Sequence, residues 1–497
     1  MSHKAAFFLP FSLLPLLALL VAVSGCDLES ELKGEASPDN FFTDANSAEA
    51  ALSGVYRAVL SGKHGYQRQH WGMTDTNSDD QIYATESRPG YFEAERMAVT
   101  PANSNSTSFW QGNWRGINRA NFVINRVSQM ENIDSETQEQ LINEARFLRA
   151  FIYFHLVQLY GPLPIKTSET SSDPSSQTTG PRVSVQEVYD QVIIPDLQAA
   201  ENLPVEPEAP GRAGKGAAKT LLAKVFLTMA GEPLNNEARY QDALQKAQEV
   251  VDLGIYELFP DYADAFRVET ENGIEHIFSG QYQSGNDFFD HNIGGFFLPL
   301  SCPDGGFDGQ SHPTMDLVNF YLDQEGESER YQWNILQSCP SGQQFNPQSG
   351  ELNQVWIGKF KEFPPNGDLN FPYFRYAEVL LMIAEAENEV NGPTQRAYDA
   401  INQVRERAGV GSLPTGLSQE EFFEAVVDER RLEFAFERKR KYDLLRWGRF
   451  VEVMQEHGDD PFTFSWGAEA VSETDRLLPI PQVALDQNDE LEQNPGY

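Results

Sequence analysis

Residues Phe371–Gly409 read FPYFRYAEVLLMIAEAENEVNGPTQRAYDAINQVRERAG, and their spacing decides the fold. Tyr373, Tyr376, Ala377, Leu380, Leu381 and Ala384 recur at the intervals of one apolar helix face. The pattern predicts a helix that opens at Phe371-Pro372-Tyr373, where a first turn tolerates proline, and stops at Asn391-Gly392-Pro393. A second helix carries Ala397, Ile401, Val404 and Ala408 on its own stripe and ends at Gly409. Two amphipathic helices joined by so short a turn pack antiparallel, because neither can bury its stripe alone. The passage is a helical hairpin, read as one unit of a repeat.

A third helix opens at Ser418 with Glu421 three residues on, a capping box. It runs through Glu429-Arg430-Arg431-Leu432-Glu433-Phe434 to Trp447-Gly448, with ionic and apolar residues interleaved. Glu429, Glu433 and Glu437 fall on one line, and Arg430, Arg440 and Arg446 are placed to answer them. Two readings fit: a solvated charged face, or a partly buried Arg/Glu network that fixes helix register.

Phe374-Arg375-Tyr376-Ala377-Glu378-Val379-Leu380-Leu381, Glu429–Phe434 and Tyr442–Gly448 resemble signature blocks of the SusD/RagB family of outer-membrane nutrient-binding lipoproteins of the Bacteroidetes type. Asn143–Phe154 with Tyr160–Pro164, and the ending Arg476–Pro481 with Gln493–Tyr497, are similar to further blocks. The resemblance implies a mainly α fold, with four tetratricopeptide-like helical hairpins forming a curved scaffold. It also implies a SusC-like TonB-dependent transporter as partner.

The N-terminus is read from its own residues. Met1-Ser2-His3-Lys4 and the apolar run Ala5–Val23, broken by Pro10 and Pro15, form a signal peptide over 1–25 rather than a spanning helix. Val23-Ser24-Gly25-Cys26 has the form of a lipoprotein cleavage site, with Cys26 acylated and the protein anchored without spanning. Asp27, Glu29 and Glu31 resemble the family's surface-export signal, which implies the extracellular face of the outer membrane. Cys302 and Cys339 then remain, expected to form one disulfide in an oxidising compartment. A formal net charge of −37 excludes nucleic acid as a partner, since phosphate contacts need a basic patch.

Residues 26–497 are read as one domain. The helical scaffold spans about 45–60, 109–253 and 371–456, with Ser47 capping the first helix, and two loop-rich parts, about 61–108 and 259–370, face the ligand. The second loop-rich part includes strand-like runs at Glu275–Phe278 and Gln354–Lys361. An insertion of that length without long helices signals function.

No nucleophile–base motif, zinc signature or phosphate-cradling glycine loop is present, so no enzyme, catalytic residue or cofactor is expected. A sugar presents an apolar C–H face and a hydroxylated rim, which suits a flat ring with acids or amides at its edge. Trp71, Tyr83, Tyr91 and Phe92 supply rings, and Asp75, Asn77, Asp79 and Asp80 supply the edge. Phe288, Phe289, Phe296 and Phe297, with Tyr331, Trp333 and Trp356, supply rings from the later stretch. Trp110, Trp114 and Trp447 lie in predicted helices and are assigned to core. Asp75, Asn77, Asp79 and Glu86 also match the ligand spacing of an EF-hand calcium loop, although Asp80 replaces the glycine its turn needs. The expected function is capture of oligosaccharides and delivery to the transporter. Alternatives are peptide binding, as in RagB-like members, and a structural partner that binds nothing itself.

Overall fold

Asn103, Asp134, Thr314, Ser328, Thr394 and Ser418 each accept a hydrogen bond from a backbone amide two or three residues ahead, and each opens a helix. Such caps satisfy amides that the helix itself leaves orphaned. Ser418 and Glu421 form the reciprocal capping box expected of them. At the first helix Asp44 and Ser47 exchange bonds, with Asp44 rather than Ser47 in the cap position. The computed structural model describes residues 41–60, 66–83, 88–168, 180–282, 297–298, 302–303, 309, 311–343, 355–362, 369–457 and 471–497. The signal peptide and Cys26 lie outside the described residues.

The scaffold is a chain of packed helices. Helix α1 (Ala45–Leu60) is followed by α2 (Tyr66–Thr74), strand β1 (Gln81–Tyr83) and α3 (Pro89–Glu95). The long pair α4 (Ser104–Val127) and α5 (Ser135–Tyr160) comes next. Three abutting segments, Val185–Val188, Tyr189–Ile193 and Ile194–Ala200, make α6. Helices α7 (Lys215–Ala230) and α8 (Arg239–Val251) complete the first half. Helix α1 packs on α4 and α5, α5 on α6, α6 on α7, and α7 on α8. Ala217, Ala218, Ala223, Ala243 and Ala247 are fully buried where α7 meets its neighbours, and small side chains there let the backbones approach closely. None of the described helices is long and apolar enough to cross a membrane.

The second half joins the first through α8, which packs on α11 (Tyr376–Asn391). Helix α11 then pairs with α12 (Gln395–Arg407), and both meet α13 (Gln419–Phe434). Short helices α14 (Arg440–Arg446), α15 (Phe450–His457) and α16 (Gln482–Gln487) end the chain. Between the halves lie β2 (His276–Gly280), β3 (Ser311–Pro313), α9 (Met315–Glu325), α10 (Glu329–Asn334), β4 (Ile335–Leu336) and β5 (Trp356–Ile357). Three two-stranded antiparallel ribbons stitch this stretch to the rest: β1 with β3, β2 with β6 (Phe371–Arg375), and β4 with β5. Cys302 and Cys339 are joined by a disulfide within it.

Two expectations are corrected. The helix predicted from Phe371 starts at Tyr376, and Phe371–Arg375 is a strand in which Pro372 lies opposite Ser279. Tyr373 and Phe374 face Phe278 and Phe151, so the apolar stretch buries against a strand from the insertion instead of extending the helix. The stretch expected as loop over 61–108 contains α2, β1, α3 and the first turn of α4.

The helix expected from Ser418 to Gly448 ends at Phe434 and a separate helix resumes at Arg440, so Glu437 lies beyond α13. The acid line is nonetheless buried, which settles the choice between a solvated face and an internal network. Glu429 and Glu433 receive Arg330 at 2.6 and 3.0 Å. Glu433 also receives Arg375 at 2.9 Å and Arg407 at 2.5 Å. Glu437 receives Arg375 at 2.7 Å and Lys359 at 2.6 Å. Arg330 further holds Glu325, Arg375 and Arg407 share Glu275, and Arg405 reaches Glu429. Five acids thus meet five bases, a neutral cluster linking α9, α10, α12, α13, β6 and the segment at Lys359. The answering bases are not the expected ones. Arg430 binds Asp443, Arg440 binds Asp79, and Arg446 binds Glu385 and Asp443. Burial works to raise the Glu433 carboxyl, but Arg407, Arg375 and Arg330 overcome it and hold it at about 2.

Candidate functional site

Helix α2 begins the site because Gly72 leaves room on its surface for a ring. A Cβ there would lie 2.3 Å from Tyr91 Cε1. Tyr91, on α3, packs 5.2 Å from Trp71 and 5.3 Å from Tyr83, and Trp71 lies 6.0 Å from Phe297. Three predicted ring residues are therefore brought together, as a sugar platform would require. They are buried, however, at 0%, 1% and 3% exposure for Trp71, Tyr83 and Tyr91. Trp356 is equally enclosed, packed beside Leu298 and Leu336 and 5.1 Å from His312. These four rings are core, a correction to the expected open platform. Their large apolar area is worth most when it is taken out of water. Trp110 and Trp114 are buried as expected, and Trp447 is half-buried. Phe288, Phe289 and Phe296 lie outside the described residues.

The polar edge is likewise internal. Asp79 is gripped on both oxygens by Arg440 at 2.8 Å and receives Arg431 at 3.0 Å. Arg431 also binds Asp80 at 2.8 Å and Asp316 at 2.6 Å. Asn77 donates to Ala94 O at 2.5 Å and accepts from the Lys441 ammonium. Burial pushes Asp75 up to about 7, against the pull of Arg438. The calcium reading fails on this geometry. A calcium ion needs free carboxylate oxygens, whereas Asp79 is spanned by guanidinium groups and Asn77 faces an ammonium. Glu86 lies outside the described residues. Sequence reasoning missed Arg431, Arg440 and Lys441 as anchors of this segment, because their partners lie far away along the chain.

Trp333 differs from the other predicted rings in being half-buried. It sits on α10, and its indole N–H donates to Lys359 O at 3.1 Å, which fixes the ring plane. Lys361 Nζ lies 3.8 Å from the ring centroid and the Arg267 guanidinium 5.1 Å away. Burial draws the Lys361 ammonium down to about 8. Arg267 is ringed by Asp264 at 3.5 Å and Glu362 at 3.7 Å. Both cations lie over the indole face, so the half-buried ring is a cation–π partner, with the carboxylates gathered around Arg267 beside it. Lys359, next to this patch, belongs to the buried ionic cluster, so the patch stands on the most strongly cross-linked part of the molecule.

The fold and this surface define a class: a tetratricopeptide-like helical scaffold, ionically locked to an insertion that carries a ring at its surface. Comparison with known proteins narrows the class. Residues 361–497 match the family described as SusD family, and residues 35–227 match the family described as starch-binding, associating with outer membrane. The chain belongs to the SusD/RagB family. It is 29% identical to SusD-like protein P25 of Formosa agariphila, over 88% of this chain and 90% of the relative. It is 24% identical to starch-binding protein SusD of Bacteroides thetaiotaomicron, over 88% and 86%. A SusD homolog from Bacteroides thetaiotaomicron superposes with a TM-score of 0.81 at 25% identity, covering 93% of this chain and 98% of that one. A SusD superfamily protein from Parabacteroides distasonis gives 0.76 at 28% identity, covering 91% and 99%.

Proposed function

We propose that this protein is a lipoprotein, acylated at Cys26 and held on the extracellular face of the outer membrane, that captures oligosaccharides and delivers them to a SusC-like TonB-dependent transporter. Family membership carries the reading: one matching family is described as starch-binding and associating with outer membrane, and one curated relative is named for starch binding. Trp333 supports it from this chain's own residues. Its half-buried indole donates to Lys359 O and lies under Lys361 and Arg267, on the loop-rich insertion rather than on the helical repeat, so a sugar ring would stack there by taking the place of a cation. Delivery to the transporter follows from the family, and binding by the surface is the part this geometry supports. The protein acts as a binder, with no reaction assigned to it.

The test is calorimetric titration of the chain with a panel of neutral and acidic oligosaccharides, repeated on Trp333→Ala. Binding to at least one glycan, weakened about tenfold or more in the variant, is expected from losing one ring contact. Binding of peptides without glycans would overturn the reading in favour of peptide uptake. Binding of neither would leave the protein a structural partner of the transporter.

A further inference from the structure

The chain holds 74 acids against 37 lysines and arginines, yet helix α4 carries Arg115, Arg119 and Arg126 and no acid at all. Arg115 and Arg119 stand one turn apart on its solvent face, and both are exposed. Arg119 donates to Gly54 O of α1 at 2.9 Å, which holds its guanidinium across the seam between the two helices. Desolvation against α1, then repulsion from Arg115 and Arg57, draws its pKa below the usual value, and no carboxylate among the described residues offsets them. The one acid of α1, Glu49, is held by Arg212 at 2.6 Å. Arg126, further along the same face and 5.5 Å from the Phe122 ring centroid, extends the stripe. Like charges gathered without an acid repel in the free protein, and here they do so on a molecule whose acids are in twofold excess. An anion laid along the stripe would turn that repulsion into attraction.

We propose that the Arg115–Arg119 face of α4 binds an acidic oligosaccharide, one bearing uronate carboxylates or sulfate esters, on a different element from Trp333. Exposed guanidinium groups present their N–H forks to either anion, and the two share this chemistry. Two neighbouring arginines match a short run of acid groups and not the long charged track of nucleic acid. The seam also fixes where the face lies. Arg119 meets Gly54, and a Cβ built on Gly116 would stand 3.7 Å from Val59 Cγ2, so α1 and α4 run antiparallel there. The arginines thus flank the half of α1 that leads into residues 61–108, not the half that leads back toward Cys26. That placement favours a ligand in solution over the headgroups of a bilayer. That the anion is carried by a sugar rests on the proposed function.

The test titrates the full chain calorimetrically with tetragalacturonate, a heparin tetrasaccharide and maltotetraose, at about 20 mM and about 200 mM salt. At least one acidic oligomer is expected to bind, more weakly at the higher salt. The double variant Arg115→Gln with Arg119→Gln should weaken it about tenfold or more, while Arg115→Lys with Arg119→Lys, which keeps the charges, should weaken it less. A preference for the uronate assigns the face to carboxylates and a preference for heparin to sulfate esters, and either supports the proposal. A parent that binds neither acidic oligomer overturns it without needing a variant. So does binding that is undiminished in the glutamine pair. Binding to phosphatidylglycerol vesicles, with none to the acidic oligomers, overturns it in favour of a lipid surface. Maltotetraose binding that depends on Trp333 would leave the proposed function standing when both acidic oligomers fail. Acidic binding lost in the glutamine pair but unchanged in Trp333→Ala would support the α4 face even where the Trp333 site fails.

Discussion

Burial at Asp75 and at Lys441 draws two pKa values toward neutrality from opposite sides. The Asp75 carboxyl rises from 3.8 to about 7 because it is desolvated. Between those values the native state keeps a proton that the unfolded chain has released, so this group's contribution to stability falls as pH rises and levels off above about 7. Lys441 behaves oppositely. Desolvation lowers its ammonium from 10.5 to about 7, so its contribution improves as pH rises across that interval. Asp75→Asn removes the first slope. Its stability relative to the parent is expected to grow between about pH 5 and 7.5, by about 2.5 kcal/mol. Urea unfolding at several pH values measures this, and a difference that stays flat would mean the carboxyl is solvated. The same residues show what was legible in the sequence. Trp71, Tyr83 and Tyr91 were correctly grouped by chemistry and nearness. Whether a ring cluster is platform or core depends on what covers it, and Phe297, which helps to cover Trp71, comes from over 200 residues further along.

At the scale of elements, α13 is the member on which the others converge. Its Glu433 carboxylate meets Arg330, Arg375 and Arg407, from α10, β6 and α12 respectively. Removing one member of a buried neutral cluster leaves the remaining charge uncompensated, which costs about 3–5 kcal/mol. Glu433→Gln is expected to lose that much in chemical denaturation. The acid limb changes too. Glu433 is held at about 2 in the fold against 4.5 in the unfolded chain, so its stabilisation is complete above the unfolded value and disappears as pH falls through about 2. The variant should therefore show a shallower loss of stability below about pH 4.5. A cost under about 1 kcal/mol would be that of a surface pair and would contradict the burial described. Glu429 and Glu433 were legible as a line because helix periodicity is local, whereas Glu437 reaches the cluster from the turn beyond Phe434. Their partners were not, because Arg330 comes from the insertion and Arg375 from the strand that pairs with it, and nearby Arg430 and Arg446 bind other acids. The misplaced start of α11 has the same origin. Phe371–Arg375 has helical spacing, but β2 offers it a partner that no local pattern announces.

For the whole molecule, the hairpins α4–α5, α7–α8 and α11–α12 were readable because each pairs neighbours in sequence. The ribbons that fasten the insertion were not readable as pairings, since each joins distant segments. That division also governs how salt acts. The formal net charge is −37, and most of the excess acid is outside the neutral buried cluster. At low ionic strength these surface charges repel over distances that about 0.1 M salt cuts to roughly 10 Å. Opposing this, salt weakens exposed pairs such as Arg449–Glu424 and Arg476–Glu473, but each is worth only about 0–1 kcal/mol. The buried cluster is shielded from bulk solvent and is barely screened. Repulsion is the larger salt-sensitive quantity, so the melting temperature is expected to rise with sodium gluconate from about 20 mM to 0.5 M. Glu433→Gln should show the same rise from a lower starting point, because its defect lies where salt does not reach. A melting temperature that falls with gluconate would mean that surface pairing outweighs repulsion. A variant whose deficit vanishes at high salt would mean that the cluster on α13 is exposed to solvent after all.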